Sequence, residues 1–217
     1  MKRSAAITLL VVASLALADD WKEVQDTEGV KVFSRSLPDR LIRSVKGTGI
    51  VDAPVAKVAL VLLDDARAPE WVSSLAEARV VRQLGPAEYV EYNHVSMPLI
   101  VSDREFVTRV TMSVDREKRT VVIRSVPADD TEVKKTEAWV RGSLSALYVL
   151  ESIDEGKRTR LTVEVDADPK GALPPFIVNF FQKDWSRDTI KGIRNQAKKP
   201  DLKVPVEFAE FLDPLDF

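Results

Sequence analysis

The chain has 217 residues, 45% of them hydrophobic and 30% charged, with a formal net charge of −2. This fits one globular domain large enough to bury a core, and the lack of a basic excess argues against nucleic acid as the main partner. Cysteine is absent and His94 is the sole histidine, which excludes disulfides, thiolate chemistry, cysteine-ligated metals and any site built on two histidines of one chain.

Lys2 and Arg3 precede the apolar run ITLLVVASLALA, and Ala16 and Ala18 stand just before Asp19. That is the three-part layout of a secretory signal peptide. The run is too short to cross about 30 Å of hydrocarbon comfortably. It predicts cleavage after Ala18 and a periplasmic or secreted protein. No Cys follows, so a lipoprotein anchor is excluded. Loss of Lys2 and Arg3 makes the mature chain more acidic. The predicted organisation is a signal peptide over 1–18, one domain over 19–198 and a tail over 199–217.

Trp21–Arg35 predicts two short strands joined by a turn at Asp26–Gly29, and Leu41–Val51 a further strand. Pro54–Leu63 changes period and predicts a helix, with Asp52 as N-cap and Pro54 in the first turn. Strands are then predicted at Ala78–Leu84, Glu88–Met97, Glu105–Val114, Thr120–Val126, Lys134–Ser143, Ala146–Ile153 and Arg158–Ala167. In the third of these, Phe106, Thr108, Val110, Met112 and Val114 alternate with Val107, Arg109, Thr111, Ser113 and Asp115, so the first set faces a core or cavity and the second faces water. Leu161, Val163 and Val165 alternate likewise with Arg160, Thr162 and Glu164. Charged turns at Asp115–Arg119 and Asp154–Arg158 sit at hairpin spacing and make the sheet antiparallel. From Pro175 to Lys198, Phe176, Ile177, Phe180, Phe181, Trp185, Ile190 and Ile193 recur at helical steps. The fold class is therefore α+β: a curved antiparallel sheet wrapped around a long C-terminal helix, with a tunnel wherever their contact is incomplete. In the tail, a short helix between Pro205 and Leu212 packs on the domain, or the segment covers the tunnel or binds a partner.

Four stretches carry a family resemblance: GVKVFSR at Gly29–Arg35, Trp71 after the first helix, MPLIVSDREF at Met97–Phe106, and DPKGALPPFIVN at Asp168–Asn179. In this order and spacing the chain resembles the START domain, the steroidogenic-acute-regulatory-related lipid-transfer family, over Trp21 to Lys198. The resemblance implies a helix-grip fold, a lipid-binding domain with an internal hydrophobic tunnel for one lipid or sterol, and no covalent chemistry. It also implies a tunnel charge pair, an acid on one strand and an arginine six residues past Arg104. Glu91 serves as the acid, but the arginine position holds Val110. Arg124 or Arg141 would then bring the charge from another strand. The residues assigned to the tunnel wall are Trp71, Glu91, His94, Arg104 and Val110, followed by Arg124, Arg141, Tyr148, Phe176, Phe180 and Trp185.

Individual residues carry competing readings. His94 is a general base, a contact to a lipid headgroup, or a structural histidine; no nucleophile-elbow glycine pattern accompanies it. Gly47-Thr-Gly49 lacks the third glycine of a dinucleotide loop and reads as a strand glycine pair. The pairs Asp19–Asp20, Asp64–Asp65 and Asp129–Asp130 read as solvated loops. Arg104 reads as an anion contact or as half of a stabilising ion pair. Three functions are weighed: a carrier that binds and transfers a lipid in the cell envelope, a cyclase- or hydrolase-like enzyme built on Glu91, His94 and Arg124, and a ligand sensor for a membrane partner. The expected partners are a lipid or other hydrophobic small molecule and, transiently, a membrane. No cofactor, metal or nucleic acid is expected, and the chain is expected to be a monomer.

Overall fold

In the computed structural model of the chain, the residues described are 21–36, 43–98, 101–129, 133 and 138–212; within this set the side chains of 175–177 and 179–183 are not described. The signal-peptide segment, Asp19–Asp20, Leu41 and the side chains of Phe176 and Phe180 thus lie outside the described residues.

Strands β1 (Lys22–Thr27) and β2 (Val30–Arg35) form a hairpin whose turn places Glu28 and Gly29 at positive φ, 55° and 68°. Strand β3 (Ser44–Val51) leads to helix α1 (Val55–Leu63). The helix is capped by Pro54 and not by Asp52: the Pro54 carbonyl accepts from the amides of Lys57 and Val58 at 3.0 and 3.2 Å. Asp52 lies two residues too far upstream and stays solvent-exposed. A 3-10 helix over Asp65–Glu70, not anticipated from the sequence, follows directly.

The sheet continues with β4 (Leu75–Gly85), β5 (Glu88–Val95), β6 (Arg104–Asp115), β7 (Thr120–Pro127), β8 (Val140–Arg141), β9 (Ser143–Ile153) and β10 (Arg158–Asp168); helices α2 (Pro175–Ala197) and α3 (Val206–Leu212) complete the chain. The strands pair in the order β1-β2-β3-β10-β9-β7-β6-β5-β4, all antiparallel. Of the strand expected at Lys134–Ser143, residues 134–137 lie outside the described set; its described part holds β8, two residues running parallel to Arg104 and Glu105, and Ser143, which opens β9.

Helix α2 lies across the concave face, the helix-grip arrangement. Its seat is cut by glycines. A Cβ on Gly47 of β3 would stand 2.8 Å from Ser186 Cβ, and one on Gly192 of α2 would stand 2.4 Å from the carbonyl oxygen of Trp71. The Gly47–Gly49 pair thus serves close approach between helix and strand. Val58, Val121, Leu150, Leu161, Val163, Ile190 and Ile193 fill the contact, each fully or almost fully buried; each such side chain contributes roughly 1.5–3 kcal/mol. The C-terminal half of α2 is also held by polar contacts. Arg194 donates to the carbonyls of Ile50, Glu28 and Gly29 at 2.8, 2.8 and 3.0 Å, and Gln196 and Lys199 reach Glu70 at 2.9 and 2.6 Å. Leu202 and Leu212 are buried in the same core, and α3 packs on α1.

The convex face departs from the expected pattern. Val107, expected to face water, is 4% exposed and joins Val90, Tyr92 and Val133 in a second small core, with Val81, Ala128 and Trp139 against it. Ala128, Val133 and Trp139, which follow β7 in the chain, pack on this part of the sheet.

Candidate ligand-binding site

Between the sheet, α2 and the 3-10 helix lies a cavity of about 240 Å³. Strand alternation builds its walls: Tyr89, Glu91, Asn93 and Val95 from β5, Phe106 and Val110 from β6, Ile123 and Ser125 from β7, and Leu144, Ala146 and Tyr148 from β9. The 3-10 helix and the turn after it supply Asp65, Ala68, Trp71 and Val72, and α2 supplies Val178, Trp185 and Thr189. The lining is predominantly apolar.

The polar groups gather around two acids. Asp65 is 8% exposed, accepts a 3.4 Å hydrogen bond from the Tyr89 hydroxyl through Oδ1, and has no partner for Oδ2 among the described residues. Glu91 accepts a 2.6 Å bond from the Thr108 hydroxyl. Burial, and after it the Glu91 charge, pushes the Asp65 carboxyl up to about 7. Burial also raises Glu91, against the opposing hydrogen bonds of Thr108 and Asn93. Both tyrosine hydroxyls of the cavity, Tyr89 and Tyr148, are raised, first by burial and then by these carboxylates. Glu91 and Tyr148 keep some uncovered surface because they border the void, yet they sit deep in the protein, which is why burial dominates their ionisation.

Of the residues assigned to the tunnel wall, Trp71, Glu91, Arg104, Val110, Tyr148 and Trp185 line the cavity. The side chains of Phe176 and Phe180 are outside the described residues. Three assignments are corrected. His94 lies on the opposite face of β5 from Glu91, because the two are three positions apart and strand side chains alternate. Its ring stacks on Trp139 with centroids 3.7 Å apart, and its Nε2 lies 2.8 Å from Asp103 Oδ2. Arg124 falls between the cavity residues Ile123 and Ser125 and therefore points out to solvent. Arg141 packs on the convex side, donating to Glu105 at 3.0 Å and to the Val133 carbonyl at 3.3 Å.

Arg104 lines the cavity at 2% exposure, but its guanidinium donates to the carbonyls of Ser102, Pro169 and Lys170, the last two at 3.2 and 3.1 Å. It thus fastens the start of β6 to the connection that leads into α2 through backbone carbonyls, which is neither the headgroup contact nor the ion pair read from the sequence. Sequence reasoning missed Asp65, Tyr89, Asn93 and Ser125. Strand parity with Glu91 selects Tyr89 and Asn93. Asp65, expected in a solvated loop, carries no comparable signal.

Val110 and Glu91 are diagonal neighbours on one face, since Val110 stands opposite Tyr89 and Glu91 opposite Thr108. An arginine introduced at this position is therefore within reach of the Glu91 carboxylate. Val110→Arg should cost little in the native background and much more with Glu91→Gln, a coupling of about 2 kcal/mol in a double-mutant cycle read by urea unfolding. Additive losses would place the introduced guanidinium and Glu91 out of contact.

A family model for the START domain matches residues 4–198. An uncharacterized protein of Pseudomonas aeruginosa is 30% identical over 195 residues, covering 89% of this chain and 95% of that protein. Among solved structures, a fragment of the STAR-related lipid transfer protein from Xanthomonas axonopodis matches with a TM-score of 0.75 at 22% identity, over 83% of this chain and 100% of that one. Human STARD10 matches with a TM-score of 0.76 at 20% identity, over 90% and 78% of the two chains. Human StAR-related lipid transfer protein 5 gives 0.76 at 18% identity, over 83% and 88%. These likenesses establish the fold, and that fold supports binding of a lipid or other hydrophobic ligand.

Proposed function

The chain belongs to the START domain family, and on that premise we propose that it is a non-catalytic carrier that binds one lipid or sterol-like amphiphile and transfers it in the cell envelope. The observation that carries this reading is the apolar cavity closed by α2, with its few polar groups collected around Asp65 and Glu91. Burying an apolar chain there is worth roughly 25 cal/mol per Å² removed from water, so binding is favourable and release depends on an opening step. The C-terminal half of α2 is fastened by Arg194, Gln196 and Lys199, whereas Val178 and Trp185 in the preceding part border the cavity. Opening therefore proceeds from the N-terminal end of the helix, during transient contact with a membrane. The carrier works as a monomer. A catalytic set of Glu91, His94 and Arg124 is disfavoured, because only Glu91 of the three faces the cavity.

Residence in the envelope rests on the N-terminal sequence pattern, and N-terminal sequencing of the protein from its host should read from Asp19. The main test is native mass spectrometry of protein purified from that host, followed by transfer between vesicles. A co-purifying lipid that moves from donor to acceptor vesicles is the expected result. A lipid that binds without moving would indicate a sensor, and an empty protein that takes up no lipid would overturn the reading.

Trp185 gives a second measurement. An ordinary packed tryptophan loses about 3–5 kcal/mol on truncation to alanine. Trp185 already borders a void, so Trp185→Ala should cost less than this in delipidated protein and more once the co-purified lipid is loaded. Thermal unfolding of both states reads the difference; equal losses would mean that Trp185 does not touch the ligand.

A further inference from the structure

The polar end of the cavity has an unbalanced charge. Asp65 and Glu91 enter it from different elements, the 3-10 helix and β5, and Asp64 adds a further negative charge close by. Tyr89 from β5 and Tyr148 from β9 present neutral hydroxyls. Arg104 of β6 is the cation of the described lining, and its donors are turned to the carbonyls of Ser102, Pro169 and Lys170. Position 110, from which an arginine would reach Glu91, holds a 3%-exposed valine. Asp65 is more than nine-tenths buried in the cavity wall, with Oδ2 lacking a hydrogen-bond partner among the described residues. A buried carboxyl of this kind costs free energy until a donor, best a cation, meets it.

We propose that the ligand carries a protonated amine at its polar end, seated between Asp65 and Glu91, with its apolar part lying towards Trp71 and Trp185. This rests on the binding function proposed above and narrows it to one ligand class. An ammonium supplies several donors to acceptor-only carboxylates and removes the like-charge repulsion between them. A hydroxyl at the same place supplies one donor and no charge. A carboxylate adds a third negative group. The suppressed ionisation of Asp65 has the same origin, since burial and Glu91 both disfavour its charged form, and a bound cation favours the charged form against both.

Decylamine, decanol and decanoate share one chain and differ in the head group. Their affinities for the delipidated protein, measured below micellar concentration by displacement of a fluorescent apolar probe at neutral pH, test the proposal. The amine should bind at least about tenfold more tightly than the alcohol, and the acid most weakly. Asp65→Asn should bring the amine-to-alcohol ratio towards one. Val110→Arg should invert the series, weakening the amine and strengthening the acid, because it places a cation beside Glu91. Equal affinities in the native protein, or an amine preference untouched by both substitutions, would overturn the amine assignment while leaving ligand binding in place. If none of the probes binds, the amine assignment fails together with the binding function.

Discussion

Arg141→Ala should destabilise the protein by about 3–5 kcal/mol, the usual result of stripping one partner from a buried ion pair. Glu105 is fully buried, and Arg141 lies 3.0 Å from its Oε1 while the Tyr92 hydroxyl reaches Oε2 at 3.3 Å. The carboxylate sits on the convex face of β6, the face on which Val107 joins Val133 in the second small core. Removing the guanidinium strips the charged donor of Oε1 from this buried carboxylate, and it releases the Val133 carbonyl that Arg141 also binds. Urea unfolding should show a lower midpoint with an unchanged slope. Replacing both partners by apolar side chains of similar volume, Glu105→Leu with Arg141→Met, should recover much of the loss. A loss below about 1 kcal/mol for Arg141→Ala would mean that water reaches Glu105.

Stability should also fall as pH rises from about 4 to about 7, through Asp65. Its folded carboxyl holds a proton up to about 7, against an ordinary value of 3.8. In that window the folded state binds more protons than the unfolded one, so raising the pH favours unfolding. The contribution is complete below the unfolded value, is lost progressively across the window, and is on the order of 4 kcal/mol in all. Glu91, raised by burial, acts in the same direction. Asp103 and Asp115, lowered chiefly by hydrogen bonds from the backbone amides of Met97 and Lys118, act in the opposite one. The informative quantity is therefore the difference between the native protein and Asp65→Asn. The two should be close in stability near pH 4, with the variant ahead above pH 7. Parallel pH profiles would show that Asp65 ionises freely in the folded protein.

The fold was legible because its elements obey simple periods. Alternation in Phe106–Val114 and Leu161–Val165 marks strands with one buried face, and the three- and four-residue steps from Phe176 to Ile193 mark the helix that this face receives. The site was legible only where the same rule applies. Glu91, Val110 and Tyr148 follow from strand parity, and parity applied strictly also rejects His94 and Arg124. What parity does not reveal is whether the other face is covered. Val107 looks solvent-bound in sequence and Arg141 was assigned to the tunnel wall, because alternation carries no sign of the second small core that Val107 forms with Val90, Tyr92 and Val133 on the convex face. Asp65 was hidden for a related reason. Acids after a helix usually meet water, and this one is buried by a 3-10 turn and by Tyr89, 24 residues away in the chain, a contact set by tertiary packing alone.

The seam between β3 and β10 bears on how the chain reaches this structure. Val51 stands opposite Thr159, and the Thr159 hydroxyl bonds the carbonyl of Ala53, 106 residues earlier. The hairpin β1–β2 and strand β3 form early by local contact, but β3 keeps a bare edge until β10 arrives. Closing a loop of that length before any pairing rewards it is slow, on the millisecond-to-second scale typical of sheets with distant partners. Until then the edge is open to strands of other chains. Fragments ending before Arg158 should therefore aggregate through β3, while the full-length chain refolds in one step limited by the meeting of its two ends.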